Sequence, residues 1–502
     1  MVDAQLLLAA IKNATTLSTI IIIFIGTIWG IIIGALPGLG SILAIAISLP
    51  FTYTMSPTNA IALILSIYCG SVYGGSIAAI LMNTPGTPAA AATTFDGHPL
   101  AKQGKSNEAL GWATSASIMG GLFSCLVLMF LGPALAQFAL RFGPLETATF
   151  IIFALLCIVN SRRDVFFRGL FSTCLGLMFA AVGVDPLTGE MRFTFGCFDL
   201  SGGFALVPVV IGIFALSEVF FRLTSKKEES KYLVEYTGIK FPSFRQWKGR
   251  IKILIKSACL GCGIGILPGA GSSAAVFLSY ASAKSSSPNK DKFGTGEPDG
   301  IIAPEAANNA VTGGALVPTL ALGIPGDAVT AIMLVTLTIF GITPGVRLMQ
   351  DNPDIVYSLF IVLIIANIVM LICSMGIARV FAFCLKIPEP LLMTLVVILC
   401  CLGAYGVQNR TFDLYITLVC GFIGYLLRYF NIPLAPLVIG LVLGEQLEIT
   451  IRQTMLLSGD GFLHLLLHRP IAIIIIFTTI IMLVYPYCNR FKNLNFRKIF
   501  RG

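Results

Sequence analysis

The stretch EAANNAVTGGALVPTLALGIPGD, from Glu305 to Asp327, decides how the rest of the sequence is interpreted. It places two side-chain amides, a Gly-Gly pair and an Ile-Pro-Gly break inside a hydrophobic sequence, where membrane helices ordinarily avoid all three. In hydrocarbon every backbone N–H and C=O needs a partner, so a Pro-Gly break is tolerated only where it is buried in protein or lines a wet cavity. The stretch therefore predicts a ligand site in a membrane-embedded region.

The composition around this stretch is that of an integral membrane protein. Of 502 residues, 56% are hydrophobic and 11% are charged, whereas soluble chains carry about 25% charged residues. A spanning helix needs about 20 mainly apolar residues. The sequence predicts an all-α polytopic protein embedded in a lipid bilayer, with candidate spans near residues 18–36, 57–80, 109–132, 147–160, 165–183, 203–221, 251–267, 328–343, 355–378, 391–406, 414–427 and 470–487.

The net charge of +9 comes from basic residues in loops rather than on one binding face, so we expect no nucleic-acid partner. Residues 222–256 hold ten Lys or Arg against three Glu, and the tail after Tyr487 is also basic. Basic loops favour the cytoplasmic side of the membrane. We therefore expect a cytoplasmic linker and tail. Because no basic region precedes the first apolar run, we expect no cleavable signal peptide.

The opening stretch has a counterpart half a chain earlier. The sequence NTPGTP of Asn83–Pro88 follows a Gly-Gly pair, as Gly323–Asp327 follows another. Upstream, GALPGLG at Gly34–Gly40 matches GILPGAG at Gly265–Gly271. The offsets are 231 residues from Gly34 to Gly265 and 240 residues from Pro85 to Pro325. Matched markers in one order at nearly one spacing predict an internal duplication.

The predicted organisation has five parts. They are an N-terminal segment 1–17, a membrane repeat 18–222, a basic linker 223–250, a second membrane repeat 251–450, and residues 451–502 with an amphipathic connection, a final spanning helix and a basic tail. If linker and tail are both cytoplasmic, the second repeat and the final helix together cross an even number of times. Each repeat then crosses an odd number of times, so the two repeats are inverted.

Inverted repeats with paired broken helices are typical of secondary transporters, whose substrate lies near the bilayer midplane where the repeats meet. We therefore expect an ion-transporter-like fold with broken helices, re-entrant hairpins and one extra C-terminal transmembrane helix. Restarted half-helices direct N–H groups and positive dipole ends at a ligand, which suits an anion such as a carboxylate. The predicted substrate-binding residues are Gly38, Gly40, Ser41, Asn83, Thr84, Pro85, Gly86, Thr87, Gly269, Gly271, Ser272, Ser273, Pro325, Gly326 and Asp327.

Unwound carbonyls and side-chain amides suit a hard cation, so the same region predicts a coupling-ion site. Its candidate residues are Glu305, Asn308, Asn309, Thr312 and Gly313. Glu305 either carries a proton or ligates sodium, or else lies at the entrance of a polar loop. Neutral donors are expected at the substrate, because a permanent Arg deep in lipid would cost several kcal/mol.

For two other polar features, a structural interpretation is favoured over a functional one. Asp96 and His98 lie in the polar segment 93–108, for which we expect a solvated turn. His464 and His468 are one helical turn apart, a spacing that can hold a metal, but no third ligand is nearby. The sequence thus predicts no metal site and no cofactor apart from Na⁺ or H⁺ as a coupling ion.

Four stretches together resemble the large permease subunit of the tripartite tricarboxylate transporters. They are GALPGLG, the run YGGSIAAILMNTPGTPAAAATTFDGHPLAKQGKSNEALG, GILPGAG with SYASAK, and APEAANNAVTGGALVPTLALGIPGD. The resemblance implies ion-driven, elevator-type uptake of a di- or tricarboxylate such as citrate across a bacterial inner membrane. It also implies a periplasmic solute-binding protein and a small membrane subunit as partners. Asp327 stands where that family usually has a small residue, which leaves substrate and ion choice open.

Two rival classes remain at this point. An intramembrane enzyme would need a nucleophile, a metal set or a carboxylate pair, and the sequence displays no such constellation, so we expect no enzymatic activity. A channel for ions or anions would predict symmetric pore-lining oligomers and uncoupled flux rather than two unlike partners. A homo-oligomeric transporter is compatible with the sequence.

Overall fold

The computed structural model describes residues 4–36, 38–160, 165–224, 238–384, 388–459 and 461–499. This part of the chain is helical almost throughout, which confirms the prediction of an all-α polytopic protein. Some predicted features lie outside the described residues: Pro37 of the first break, residues 225–237 of the basic linker, and residues 500–502 of the tail.

The first half of the chain forms ten α-helices and a small hairpin of two strands. The helices are α1 (Ala4–Ala14), α2 (Leu17–Ala35), α3 (Gly40–Thr52), α4 (Pro57–Met82), α5 (Thr94–Leu100), α6 (Ser106–Ala139), α7 (Pro144–Asn160), α8 (Phe166–Ala180), α9 (Leu206–Val210) and α10 (Ser217–Thr224). The antiparallel strands are β1 (Gly183–Val184) and β2 (Met191–Arg192). A π-helical stretch, Ile211–Leu216, joins α9 to α10.

The second half adds twelve α-helices within the described residues. They are α11 (Phe244–Trp247), α12 (Ile251–Ile266), α13 (Gly271–Ser286), α14 (Asp299–Leu322), α15 (Ala328–Ile339), α16 (Leu348–Asp351), α17 (Pro353–Cys384), α18 (Glu389–Gln408), α19 (Thr411–Tyr429), α20 (Ala435–Leu457), α21 (Phe462–Leu467) and α22 (Pro470–Ile499).

Seven helical segments among the described residues are long and apolar enough to cross a bilayer. They are Leu17–Ala35, Pro57–Met82, Thr94–Ala139, Leu206–Thr224, Pro353–Gly376, Pro390–Gln408 and Thr411–Tyr429. The Pro57–Met82 segment is buried from Ala60 to Met82. A helix without a lipid-facing side is enclosed by other helices, so this segment is positioned to line an internal site.

The chain divides into two compact units. The larger unit consists of Met1–Ala139 and Phe204–Leu434, and it contains all the predicted substrate and coupling-ion residues. In this unit α2 packs along α4, and α14 packs against both α6 and α12.

Glycines allow these helix backbones to approach closely, as is common for helix packing in membranes. A Cβ added at Gly74 of α4 would lie 2.4 Å from the carbonyl oxygen of Ile31 in α2. At the matching position of the second half, a Cβ on Gly314 of α14 would lie 2.7 Å from the carbonyl oxygen of Cys262 in α12. Each half thus has a glycine at the equivalent position of an equivalent helix crossing, α2 with α4 and α12 with α14.

The smaller unit consists of Leu140–Gly203 and Ala435–Gly502. Its helices α8 and α20 cross at Gly176, where a Cβ would lie 2.0 Å from the carbonyl oxygen of Leu437. Next to α8, the turn before β2 is held by an ion-pair network whose members are Asp185, Arg192, Glu448 and Arg452.

The buried carboxylate of this network is Asp185. It accepts hydrogen bonds from the backbone N–H groups of Leu187, over 2.8 Å, and Thr188, over 3.2 Å. Arg452 lies 2.9 Å from its other oxygen. These backbone donors and the neighbouring guanidinium groups of Arg452 and Arg192 lower the pKa of Asp185 to about 2.

Candidate substrate and ion site

The two early breaks have the same backbone conformation. Gly38 and Gly40 have φ values of 79° and 67°, and Gly269 and Gly271 have φ values of 75° and 76°. Residues other than glycine rarely adopt this left-handed region, which explains glycine at all four positions. At both breaks the chain leaves one helix and starts another, α3 at Gly40 and α13 at Gly271. The predicted serines, Ser41, Ser272 and Ser273, lie in the first turns of these helices.

The two later breaks also match each other. Helix α4 ends at Asn83, with φ 57°, and α14 ends at Gly323, with φ 71°. These residues are related by the same offset as Pro85 and Pro325. A left-handed residue is a common way to end a helix, and Asn tolerates this conformation better than other residues with a side chain. The sequence after each helix therefore turns at the same point.

Each later break folds back onto its own helix. The backbone N–H of Gly86 donates to the carbonyl oxygen of Gly75 over 3.3 Å. At the corresponding place in the second half, a Cβ added at Gly326 would lie 2.6 Å from the Cα of Ala315. The N–H of Gly326 donates to the hydroxyl of Thr319 over 3.3 Å.

In each half the early and later breaks are in contact. The N–H of Gly269 donates to the carbonyl oxygen of Gly326 over 2.8 Å. In the first half, a Cβ added at Gly86 would lie 2.0 Å from the carbonyl oxygen of Gly34. Within each half, the early break therefore lies beside the later break of the same half.

A hydrogen bond also joins the two halves of the chain at the break between α14 and α15. The hydroxyl of Tyr68 in α4 donates to Oδ2 of Asp327 over 2.5 Å. The other carboxylate oxygen of Asp327 accepts from the N–H of Thr330 over 2.8 Å and caps α15. Asp327 thus caps α15 and contacts a residue from the first half of the chain.

Glu305 lies inside the protein rather than at a loop entrance. It is fully buried, and its carboxylate accepts hydrogen bonds from the hydroxyl of Thr93 and, over 2.9 Å, from that of Ser117. Of the two locations considered for this residue, the structure selects the interior one. A buried acidic group with hydroxyl donors can hold a proton or share a cation.

The other coupling-ion candidates follow Glu305 along α14. The amide nitrogen of Asn309 donates to the carbonyl oxygen of Glu305 over 3.1 Å, and the hydroxyl of Thr312 donates to that of Asn309 over 2.6 Å. Gly313 packs against Ser124 of α6, where a Cβ would lie 2.6 Å from the Ser124 hydroxyl. These groups have their polar partners inside the helix bundle.

Asn308 differs from these neighbours. Its side chain is 1% exposed, and neither its amide oxygen nor its amide nitrogen has a hydrogen-bond partner among the described residues. In the same part of the chain, the buried hydroxyls of Thr84 and Thr87 also lack a partner. Buried polar atoms are nearly always satisfied in folded proteins, so these three side chains are the ones best prepared to receive a ligand.

The expectation of a solvated turn around Asp96 and His98 is wrong. Both side chains are buried. Asp96 accepts from the hydroxyl of Tyr280 and from the N–H groups of Gly294, Gly296 and Glu297 at 2.8–2.9 Å. The polar residues of this segment predict exposure to solvent. In the structure, however, the Asp96 carboxylate bonds to groups about 200 residues away in sequence.

Sequence reasoning also missed an arginine next to the first break. A Cβ added at Gly38 would lie 2.7 Å from Nη2 of Arg222. Arg222 Nε donates to Glu218 over 2.7 Å, and Arg428 lies 2.5 Å from the other oxygen of this carboxylate. Two guanidinium groups share one carboxylate, so the cluster carries excess positive charge. The available signal was the Glu218–Arg222 spacing of four residues on a helix.

The described helices define a multi-pass membrane protein. The chain belongs to the tripartite tricarboxylate transporter TctA family, whose family model matches residues 20–439. This confirms the resemblance found in the sequence motifs. Membership in this family implies that the chain is a component of a tricarboxylate transporter with a binding protein and a small subunit as partners.

Two relatives come from Agrobacterium vitis. One is described as an uncharacterized 52.8 kDa protein in the TAR-I ttuC' 3' region; it is 34% identical over 464 residues, which cover 92% of this chain and 91% of the relative. The other, an uncharacterized protein in the TAR-II ttuC' 3' region, is 35% identical over 199 residues, covering 39% of this chain and 82% of the relative. No solved structure matches the chain significantly.

Proposed function

We propose that this protein is the membrane subunit that carries a di- or tricarboxylate, such as citrate, across a bacterial inner membrane. Transport is coupled to a sodium or proton gradient, and a periplasmic solute-binding protein delivers the substrate. The observation that carries this proposal is the matched backbone of the two break pairs, Gly38 with Gly269 and Asn83 with Gly323, inside one compact unit.

Matched breaks support two inverted repeats that present restarted helices to a common substrate. Helices α3 and α13 both begin at a break, so each has backbone N–H groups in its first turn without a partner in the helix. Such N–H groups and the helix dipole favour a carboxylate without placing a permanent cation on it. Neutral recognition of this kind also allows the substrate to leave at the other side.

The architecture favours alternating access of the elevator type, in which a domain carrying the site moves relative to a scaffold. Inverted repeats give two related conformations of similar energy, so the site can open to either side. Glu305 and the adjacent face of α14 are the part of the site proposed to bind the coupling ion. Because Glu305 is buried among hydroxyl donors, it can respond to a cation or a proton without exposure to lipid.

The proposal is tested by reconstituting the purified chain, with its two partner subunits, in proteoliposomes. Uptake of labelled citrate is measured under a sodium gradient, under a pH gradient and under neither. Accumulation should require the binding protein and one of the gradients. A gradient-independent flux without the binding protein would indicate a channel, and hydrolytic activity without any carboxylate uptake would indicate an enzyme.

A substitution connects the uptake to the site. Pro325→Ala removes the residue that prevents α14 from continuing, and uptake should fall by at least about tenfold. Pro390→Ala is the matched control, because Pro390 lies in the exposed first turn of α18. Equal uptake by both variants would contradict the proposed site.

A further inference from the structure

The two halves treat one pair of equivalent positions differently. Tyr68 and Asn308 are related by the same offset as Pro85 and Pro325, and so are Thr87 and Asp327. Each helix residue can thus be paired with the break residue of the other half, Tyr68 with Asp327 and Asn308 with Thr87. In the first pair, the Tyr68 hydroxyl donates to the Asp327 carboxylate over 2.5 Å. In the other pair, the Asn308 amide and the Thr87 hydroxyl are buried and have no hydrogen-bond partner within the described chain.

The helix that carries Asn308 packs against the segment that follows Thr87. The Thr87 hydroxyl lies against Gly75 of α4, where an added Cβ would be 2.6 Å away. Helix α14 packs against the short 3₁₀ helix Pro88–Ala91, which begins immediately after Thr87. The end of this segment is fixed to α14, because Thr93 donates to Glu305. Residues three apart on a helix lie on one face, so Asn308 lies one turn beyond Glu305 on the face that meets this segment.

The same face of α14 continues toward the break between α14 and α15. Ala315, two turns beyond Asn308, packs against Gly326, and Thr319 accepts a hydrogen bond from Gly326. Asn308 is therefore flanked along its helix by a contact to the first half on one side and a contact to the second break on the other. Its amide faces the region between the two breaks.

We propose that the amide oxygen of Asn308 and the hydroxyl oxygens of Thr84 and Thr87 bind one sodium ion per chain. This inference rests on the proposed function, because the ion is the coupling ion of the transporter. It goes further by naming the ion, by moving Thr84 and Thr87 from the substrate to the cation, and by limiting the number of such sites to one.

The ligand chemistry supports a monovalent hard cation. Amide and hydroxyl oxygens are ligands that hard cations prefer, and none of the three side chains titrates, so the set cannot carry a proton. The last carbonyl groups of α4, just before Thr84, have no partner inside their helix and add further oxygen atoms. Ca²⁺ sites use several carboxylates, whereas the three proposed ligands include none, and Glu305 lies one turn away along α14.

The equivalent position in the other half, formed by Tyr68 and Asp327, has no free ligand atoms on the Asp327 carboxylate. Both carboxylate oxygens of Asp327 are in use, one with Tyr68 and the other with Thr330. The Tyr68 ring and hydroxyl occupy the place that corresponds to the Asn308 amide. A duplicated site has thus been retained in one half and replaced by a hydrogen-bonded pair in the other, which is the reason to expect one ion rather than two.

The test is equilibrium binding of ²²Na⁺ to the purified protein, which requires no transport. We expect one ion per chain in the native protein. Asn308→Leu and Thr87→Val should each weaken sodium affinity by about 10-fold or more, because even indirect support of a bound metal contributes about 10–100-fold. Thr87→Ser, which retains the hydroxyl, should bind nearly as well as the native protein.

The control is Thr336→Val, because the Thr336 hydroxyl is buried and bonds within its own helix, to Ile332. Its sodium affinity should stay within about twofold, and gel filtration of every variant establishes that it is folded. If Asn308→Leu does not fold, the contrast between Thr87→Val and Thr87→Ser decides the question. Unchanged affinity in Thr87→Val, or two ions per chain with one lost in Tyr68→Phe, would overturn the inference.

The experiment separates this inference from the proposed function. Citrate uptake driven by a pH gradient in a protein that binds no sodium would refute the sodium site and leave the transporter proposal standing. Sodium binding that depends on Asn308 and Thr87, without uptake of any carboxylate, would retain the site and refute the proposed function.

Discussion

The hydroxyl of Tyr68 and the carboxylate of Asp327 are 259 residues apart in sequence and are joined by a hydrogen bond of 2.5 Å. This bond connects the buried helix α4 of the first half to the break that starts α15 in the second half. Since Asp327 also caps α15, the start of that helix is positioned by a residue from the opposite half of the duplication.

Tyr68→Phe tests how far this bond holds the second break in place. A hydrogen bond to a charged group contributes about 1.5–3 kcal/mol, so we expect the free energy of unfolding to fall by this amount. The measurement is the apparent melting temperature in detergent together with the rate of carboxylate uptake. Tyr357→Phe is the control, because the Tyr357 ring packs edge-on against Phe360 and leaves the break untouched. Identical melting of Tyr68→Phe and the native protein would contradict the prediction.

Gly86→Ala should prevent the break after α4 from packing against Gly34. The new Cβ would lie 2.0 Å from the carbonyl oxygen of Gly34, so backbone has to move, at a cost of about 1–3 kcal/mol or more. Gly263→Ala is the matched control, since a Cβ there meets nothing within 4 Å. Yield of monodisperse protein and uptake are measured for both; a functional Gly86→Ala protein would show that the two breaks do not need their close contact.

Asp96→Ala should destabilise the larger unit. It leaves the N–H groups of Gly294, Gly296 and Glu297 without their acceptor, and each buried donor left unsatisfied costs about 1–3 kcal/mol. The control is Asp291→Ala in the neighbouring exposed 3₁₀ turn. Thermal unfolding distinguishes the two, and comparable stability of both variants would argue against a structural role for Asp96.

Arg222→Gln tests the cluster beside Gly38. Removal of this charge should raise the KM for the carboxylate by about tenfold with little change in kcat, because losing about 1.4 kcal/mol of the cluster's longer-range attraction for an anion weakens binding by that factor. Arg347→Gln, at an exposed position before α16, serves as the control. A change in kcat alone would indicate that Arg222 positions the helix end rather than attracts substrate.

The smaller unit should lose stability in acid through Asp185. Its folded pKa, about 2, lies below the unfolded value of about 3.9. The stabilisation is therefore fully present above pH ~4, and it is lost as the pH falls from about 4 towards the folded pKa of about 2. The melting difference between the native protein and Asp185→Asn should be constant from pH 7 to 5 and shrink below pH ~4. Exposed Asp199→Asn is the control, and a difference independent of pH would contradict the assignment.

Local chemistry explains why much of the fold could be predicted. Apolar runs predict spans because the bilayer requires them, and Pro-Gly and Gly-x-Gly motifs predict breaks because few other residues accept the required backbone. Matched motifs at offsets of 231 and 240 residues predicted where the second set of breaks lies. Gly38, Gly269, Asn83 and Gly323 all have the left-handed conformation. The same motifs identified the family.

The errors arose where a residue's environment depends on distant segments. Asp96 lies in a polar sequence, yet its partners are Tyr280 and the N–H groups of 294–297. Arg222 was not expected near a break, because no local pattern indicates that the end of α10 meets Gly38. Burial and charge pairing at these positions are set by the packing of helices and not by neighbouring residues.

The sequence by itself determined the membrane class, the positions of the helix breaks, the matched motifs of the two halves and the family, since each follows from hydrophobicity, backbone preference or repetition along the chain. Only the tertiary structure decided that the Tyr68 hydroxyl bonds to Asp327, that Glu305 is interior, and that Asn308 is without a partner among the described residues. The physical reason is that these pairings depend on how closely helices from the two halves approach, which no local pattern specifies.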